Sequence, residues 1–234
     1  MLIAMHEDEP LVAEARDVRD ELLQWADRRV AELARGRVVD VGCGVGRFLR
    51  DAWFGVDVDE SALRIARLRS PHVCRGDARA LPFPDAAFDT ALALRMLNAT
   101  GAVDRALAEL RRVLCAGGAL LVLTRATTVP SALRRIHDEL TREGAASGDR
   151  LDAENGVARL RHFFDHVESE SVSRRFSFDD AAAALDHYAR SYLHRARRDP
   201  AATAELFERA RRRVLASPLP LDDEDRLTLF VARP

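Results

Sequence analysis

Hydrophobic residues fall along this chain in two rhythms, and the change of rhythm marks its elements. Short apolar runs such as Val38-Val39-Asp40-Val41, Ala91-Leu92-Ala93-Leu94 and Ala119-Leu120-Leu121-Val122-Leu123 lack period-two alternation, as strands buried on both faces do. Val103, Ala106, Leu107, Leu110, Val113 and Leu114 instead recur at helical spacing. They predict a one-sided helix, with Gly117-Gly118 expected to end it. In chain order the pattern predicts strands over 37–41, 53–56, 72–75, 88–94 and 119–124. A helix over 11–35 precedes them, packing through Leu22, Leu23, Trp25, Val30 and Leu33. Among them lie a short helix starting near Arg47-Phe48-Leu49 and one over 60–69 stopped by Ser70-Pro71. Strands alternating with helices imply an α/β fold with a doubly wound, mostly parallel sheet.

The second half reads differently. Helices are predicted over 131–143, 152–164, 179–196 and 201–216, with a weakly patterned strand over 166–176 and a last strand over 226–232. Gly144 to Gly148 has the composition of a flexible joint. The expected organisation is an N-terminal helical segment (1–36), a ligand-binding core (37–124), a helical cap (125–165), and C-terminal strands (166–234) with helices 177–218 inserted. The cap would be assembled from 125–165 and 177–218, about 80 residues, together with the N-terminal helix.

The densest chemical signal follows the first strand: Asp40-Val41-Gly42-Cys43-Gly44-Val45-Gly46. Glycines at alternate positions let backbone N–H groups approach a ligand with no Cβ in the way, and a helix N-terminus behind them would favour negative charge. Such loops lie where open α/β sheets bind ligands, at the carboxyl ends of the strands. A dinucleotide fits poorly, because the third glycine of its fingerprint would fall on Arg47 and the next strand-end carboxylate, Asp57, comes early. A Walker loop needs a lysine, and the chain has none.

In order, Asp40-Val41-Gly42-Cys43-Gly44-Val45-Gly46, Gly55-Val56-Asp57-Val58-Asp59, Gly76-Asp77-Ala78, Leu81-Pro82-Phe83-Pro84 and Phe88-Asp89 resemble the signature of class I S-adenosylmethionine (SAM) methyltransferases. Arg112-Val113-Leu114-Cys115-Ala116-Gly117-Gly118 is similar to that family's turn before the fifth strand, with Ala116 where proline is usual. The resemblance covers about 37–124. It implies a Rossmann-like, seven-stranded sheet with an antiparallel last strand and SAM as cofactor, released as S-adenosylhomocysteine. It also implies a cofactor site built from Asp40, Gly42, Cys43, Gly44, Gly46, Asp57, Val58, Asp77, Ala78 and Leu94. Within it, Asp40 would face the cationic amino acid end and Asp57 would accept from the ribose hydroxyls. Val58 would cover the adenine, Asp77 would accept from its amino group, and Ala78 would supply a backbone N–H.

Net charge of −2 gives no global field for nucleic acid. Eight arginines between Arg190 and Arg213 read as a solvated face. Cys43, Cys74 and Cys115 have no metal or disulfide spacing and read as reduced thiols of a cytoplasmic protein. No apolar run approaches a membrane span, and no metal is expected, although His162 and His166 are four apart.

On the acceptor side, Arg95 and Asn98 follow the fourth strand, and Tyr188 shares a helix face with Tyr192. His137 and His162 are the histidines able to serve as a base on the cap. The resulting expectation is methyl transfer to an oxygen, nitrogen or carboxylate of a small molecule, with nucleic acid disfavoured as partner and the oligomeric state open. An RNA methyltransferase, or an inactive regulatory partner of the same fold, are the alternatives.

Overall fold

The computed structural model describes residues 15–128, 130–141, 149–193 and 199–234, with side chains from residue 20 onward. Helix α1 (Ala15–Leu33) leads into β1 (Val38–Val41), β2 (Phe54–Asp57), α2 (Glu60–Ala66), β3 (Val73–Arg75) and β4 (Phe88–Leu94). Next come α3 (Val103–Val113), β5 (Leu114–Arg125), α4 (Ala132–Thr141), α5 (Gly156–Leu160) and β6 (His166–Phe178). Helices α6 (Ala181–Tyr192) and α7 (Pro200–Leu215) separate β6 from the final β7 (Leu221–Arg233). The strands form one seven-stranded sheet in the order β3-β2-β1-β4-β5-β7-β6. Pairs among β1 to β5 are parallel, whereas β7 runs antiparallel to both β5 and β6. The expected Rossmann-like sheet with an antiparallel last strand is therefore present.

Alternation along each strand divides the core. Val38, Leu92, Leu94, Leu121, Leu123, Leu227 and Leu229 face α1, α4, α6 and α7. Val39, Val41, Ala91, Ala93, Leu120, Val122 and Phe230 face α3 and the segment carrying Leu151, Leu160 and Phe164. The predicted cap is consequently not one layer. Helix α4 joins α6 and α7 on one face, while α5 lies across the sheet. Gly156 makes that crossing possible: a Cβ there would stand 2.3 Å from Phe230 Cζ.

Two boundaries depart from expectation for physical reasons. No helix follows the glycine loop. The interval before β2 is too short for one, and the chain instead makes single turns, with Leu49 N–H donating to Gly46 O (3.2 Å) and Trp53 N–H to Arg50 O (3.0 Å). Phe48 and Leu49 are buried there, and Arg50 pairs with Asp27 at 2.9 Å, so the segment is pinned beneath α1. Helix α3 ends at Val113 rather than at the glycines, because the chain pairs with β4 at once, Phe88 opposite Leu114. A register shift between Phe88 and Thr90 then absorbs Gly117-Gly118, and a Cβ on Gly118 would lie 3.1 Å from Asp89 O.

Elsewhere, the helix expected over 152–164 shrinks to α5, and both C-terminal strands are longer than predicted. The β5–β7 pairing stops at Arg125 opposite Leu227, yet β6 and β7 stay paired to Phe178 opposite Leu221. An arm of two strands thus projects past the carboxyl end of β5. The expected joint at Gly144 to Gly148, the start of the N-terminal helix and His194 to Arg198 lie outside the described residues.

Candidate functional site

The glycine loop turns sharply at the carboxyl end of β1, with positive φ at Gly42 (70°), Gly44 (54°) and Gly46 (78°). These angles are open to glycine and strained for other residues. Each glycine has a different neighbour. A Cβ on Gly42 would stand 2.6 Å from Met96 Cβ, and one on Gly46 would stand 3.2 Å from Ala66 Cα. Over Gly44 nothing comes within 4 Å, so this part of the loop faces open space. Gly42 N–H (2.7 Å) and Cys43 N–H (3.2 Å) both donate to Val56 O and stitch the loop to β2.

Asp57, at the end of β2, clamps the loop from outside. Its Oδ2 accepts Gly44 N–H at 2.7 Å and its Oδ1 accepts Asp59 N–H at 2.9 Å. A carboxylate has about four lone-pair sites, so each oxygen keeps one for a further donor. Asp40 lies beneath, 2% exposed. Burial, and then the charge of Asp57, push its carboxyl up to about 8. An anion at this position wants a cation.

The other predicted cofactor residues divide. Val58 is 58% exposed beside the loop, Ala78 is buried, and Leu94 is buried at the end of β4. The side chain of Cys43 turns inward to Leu49, Leu63 and Ala66, and burial raises its thiol to about 12. Cys43 thus shapes the loop from below, with its side chain in the core. Asp77 has another occupation. Arg79 Nε and a terminal guanidinium nitrogen donate to it at 2.6–3.1 Å, and Arg79 N–H adds a bond at 2.9 Å. Those hydrogen bonds hold its carboxyl down at about 2.

Of the acceptor-side residues, Arg95 sits at the mouth of β4 with φ +65°, an unusual angle for a side chain of this size. Its N–H donates to Leu123 O at 2.8 Å. Asn98 is spent on architecture: its amide donates to Leu151 O (3.0 Å) and accepts from Leu151 N–H (2.8 Å). Tyr188 is fully buried, hydrogen-bonded to His137 Nδ1 at 2.9 Å and stacked on Tyr192 at 5.2 Å. It belongs to the helical layer rather than to the glycine loop.

Sequence reasoning passed over Met96, although its place directly after Leu94 and Arg95 was the available signal. Among the described residues no group of His, Cys, Asp or Glu is arranged to hold a metal. No helix among them is long and apolar enough to cross a membrane.

Comparison with known proteins agrees with this geometry. Residues 39–122 match a family described as a methyltransferase domain. A malonyl-acyl-carrier-protein O-methyltransferase from Pseudescherichia vulneris is 32% identical over 216 residues, 80% of this chain and 78% of that protein. A ubiquinone/menaquinone biosynthesis C-methyltransferase from Bordetella avium is 36% identical over 140 residues, 48% of this chain and 53% of that one. Across three such relatives the chain spans about half their length (53%, 44% and 56%). Among solved structures, the (4+2)-cyclase SpnF superposes with a TM-score of 0.58 at 23% identity, covering 97% of this chain and 86% of that one. That likeness shows the fold alone. Glycine loop, strand-end carboxylates, sheet order and relatives together establish that the chain belongs to the class I SAM-dependent methyltransferases.

Proposed function

We propose that this protein transfers the methyl group of SAM to a small-molecule acceptor. The observation that carries the reading is the pair of strand-end carboxyl groups, buried Asp40 and neighbouring Asp57, of which Asp57 holds Gly44 where the loop faces open space. The residues suit SAM on three counts. The loop offers close backbone approach and no lysine, matching a ligand without phosphate. It has no helix behind it, so no positive helix end opposes a cation. Asp40 supplies a counter-charge in a dry setting, where a cation's attraction is strongest.

In this reading Asp57 uses its two remaining lone-pair sites for the ribose hydroxyls while holding Gly44 in place. Val58 lies against the adenine. Asp77 stays with Arg79 and shapes the adenine end indirectly, leaving the backbone of Ala78 as the direct contact. Leu94 and Met96 border the reacting end. When bound, SAM supplies a sulfonium-activated methyl group that a nucleophile can displace in one step. The chain's part is then to align the acceptor and exclude water. Arg95, at the end of β4, is placed to orient an acceptor. His137, hydrogen-bonded to Tyr188, is the candidate base on α4.

RNA gains no support from the arginine-rich face, where Arg190 pairs with Asp186, Arg211 with Glu208 and Arg213 with Glu139. The test is calorimetric titration with S-adenosylhomocysteine, followed by a methyl-transfer screen over small phenols, amines, carboxylates and RNA. Saturable binding and transfer to a small molecule are expected. Absence of S-adenosylhomocysteine binding would overturn the reading.

A further inference from the structure

We propose that the outer edge of β6 pairs with the same edge of a second copy of this chain, joining two sheets across a two-fold axis at Val172. The inference concerns a partner and needs nothing from the methyl-transfer reading.

Strand β6 closes the sheet, and among the described residues only β7 pairs with it. It runs for 13 residues, His166–Phe178. Backbone groups of an antiparallel strand point alternately to either side, so every second residue of β6 turns its N–H and C=O outward. Long open edges invite another strand, and proteins usually blunt them with a bulge, a proline or charge. β6 has no proline, and it pairs with β7 without a register break from His166 opposite Arg233 to Phe178 opposite Leu221. Its charges are sorted by sign. Glu168 and Glu170 lie in the first half, Arg174 and Arg175 in the second.

That order is self-complementary in an antiparallel pair. When two copies pair along the whole strand, the midpoint Val172 faces itself, and residues equally far on either side of it face each other. Glu170 then stands opposite Arg174 of the second copy, and Arg174 opposite its Glu170. Directly opposed side chains lie about 4.5–5.5 Å apart at Cβ, where opposite charges attract and like charges repel. Moving the axis two residues either way sets Glu170 against Glu170 or Arg174 against Arg174, so charge works against those slips. Both side chains are held in place by α1: Arg29 Nε donates to Glu170 at 2.9 Å, and Arg174 Nε donates to Glu21 at 3.2 Å. All four remain partly exposed. The joined edge would carry the alternating row Arg29, Glu170, Arg174, Glu21, with little further side-chain ordering to oppose it. On the other face Ser171 and Ser173, both exposed, would meet across the axis and put no bulk in the way. A self-complementary edge of this kind closes as a two-fold dimer.

The test is sedimentation velocity on the full chain from about 1 to about 100 μM, a range that brackets a micromolar dissociation constant. A concentration-dependent dimer is expected. Glu170→Arg and Arg174→Glu each put like charges opposite one another on both sides of the axis, so each variant alone should dimerise at least about tenfold more weakly. Mixed in equal amounts, the two variants should recover the dimer, because every opposed pair between them then has opposite signs. Mixing leaves contacts within each chain unchanged, so a purely structural role for these residues would not produce the recovery. Hydrogen exchange on the unaltered chain needs no variant, and amides of 166–178 should slow as concentration rises. The proposal is overturned by a monomer throughout the range, by concentration-dependent protection that lies elsewhere, or by folded variants that associate no better mixed than alone.

Discussion

In the β1–β5 half of the sheet, polar side chains at the strand ends are bound to nearby backbone. Asp57 takes the N–H groups of Gly44 and Asp59, Asp59 caps α2 through Ser61 and Ala62, and Asp77 closes on Arg79. In the β6–β7 arm the partners come from far along the chain, Arg29 to Glu170, Arg125 to Asp225, Ser131 beside Tyr192, and some buried valences stay unmet. The difference separates two tasks. The first half presents a preset cradle, whose shape is fixed by contacts between the ends of adjacent strands, Asp57 on Gly44 among them. The second is assembled by packing of α4, α6 and α7, and its polar contacts join residues far apart in the chain.

The sharpest way to break this contrast is Gly44→Val. With φ at +54°, a branched side chain is strained there and its Cβ enters the open space over the loop. Affinity for S-adenosylhomocysteine should fall by more than about a hundredfold, several kcal/mol on the affinity scale. Substitutions in the arm should leave that affinity alone. Normal binding by the valine variant in a calorimetric titration would show that the cradle lies elsewhere.

Asp40 gives the next effect. Its carboxyl stands at about 8 in the folded protein, against an ordinary value of 3.8. The folded state therefore holds this proton over a range where the unfolded chain has lost it. Stability of the ligand-free protein should decline as pH rises from about 4 to about 8, then level off. Binding of a cation favours the ionised form, so the affinity for SAM should have the opposite slope. It should climb about tenfold per pH unit up to about 8 and flatten above, with proton release on binding near neutrality. Titrations in buffers of different ionisation enthalpy would measure the protons released. An Asp40→Asn variant that kept the slope would remove Asp40 as its source.

Asp57 and Asp77 sharpen the contrast within the cradle itself. Asp57→Ala removes the clamp on Gly44 and the candidate ribose acceptor together, a loss of roughly 1.5–3 kcal/mol or about ten- to a hundredfold in affinity. Asp77→Asn, whose carboxylate is already committed to Arg79, should cost less than about threefold, a small fraction of a charge-assisted hydrogen bond. Equal losses at the two positions, read by titration with S-adenosylhomocysteine, would mean that Asp77 leaves Arg79 to meet the ligand.

The same contrast explains what was legible in the sequence. Buried parallel strands announce themselves as unbroken apolar runs, and the glycine positions carry their own backbone requirement, so β1 to β5 and the loop could be placed from local pattern. The helix expected at Arg47 failed because a familiar loop suggested it, whereas the short interval to Gly55 and the burial of Phe48 and Leu49 required turns. The arm was underestimated because Asp222 to Asp225 carry the polarity of a loop, and only their pairing with β6 makes them a strand. The occupations of Asn98 and Tyr188 were hidden for a similar reason. Leu151 and His137 are their partners, and sequence separation conceals such pairs.

The smallest expected effect lies where the two halves meet, at Arg95. Its φ of +65° at the end of β4 holds a long side chain in a backbone region that glycine occupies freely. Such strain costs on the order of 1–3 kcal/mol and persists where the surrounding structure has a use for it. Arg95→Gly relieves it but also loosens the unfolded chain, so a net gain of up to about 1 kcal/mol in stability is expected. Arg95→Ala keeps most of the strain and should gain nothing. If the side chain orients the acceptor between cradle and arm, both variants should lose methyl transfer alike while keeping S-adenosylhomocysteine affinity. Thermal melts read beside transfer rates decide it. A glycine variant with full activity would leave the strained angle without a functional reason.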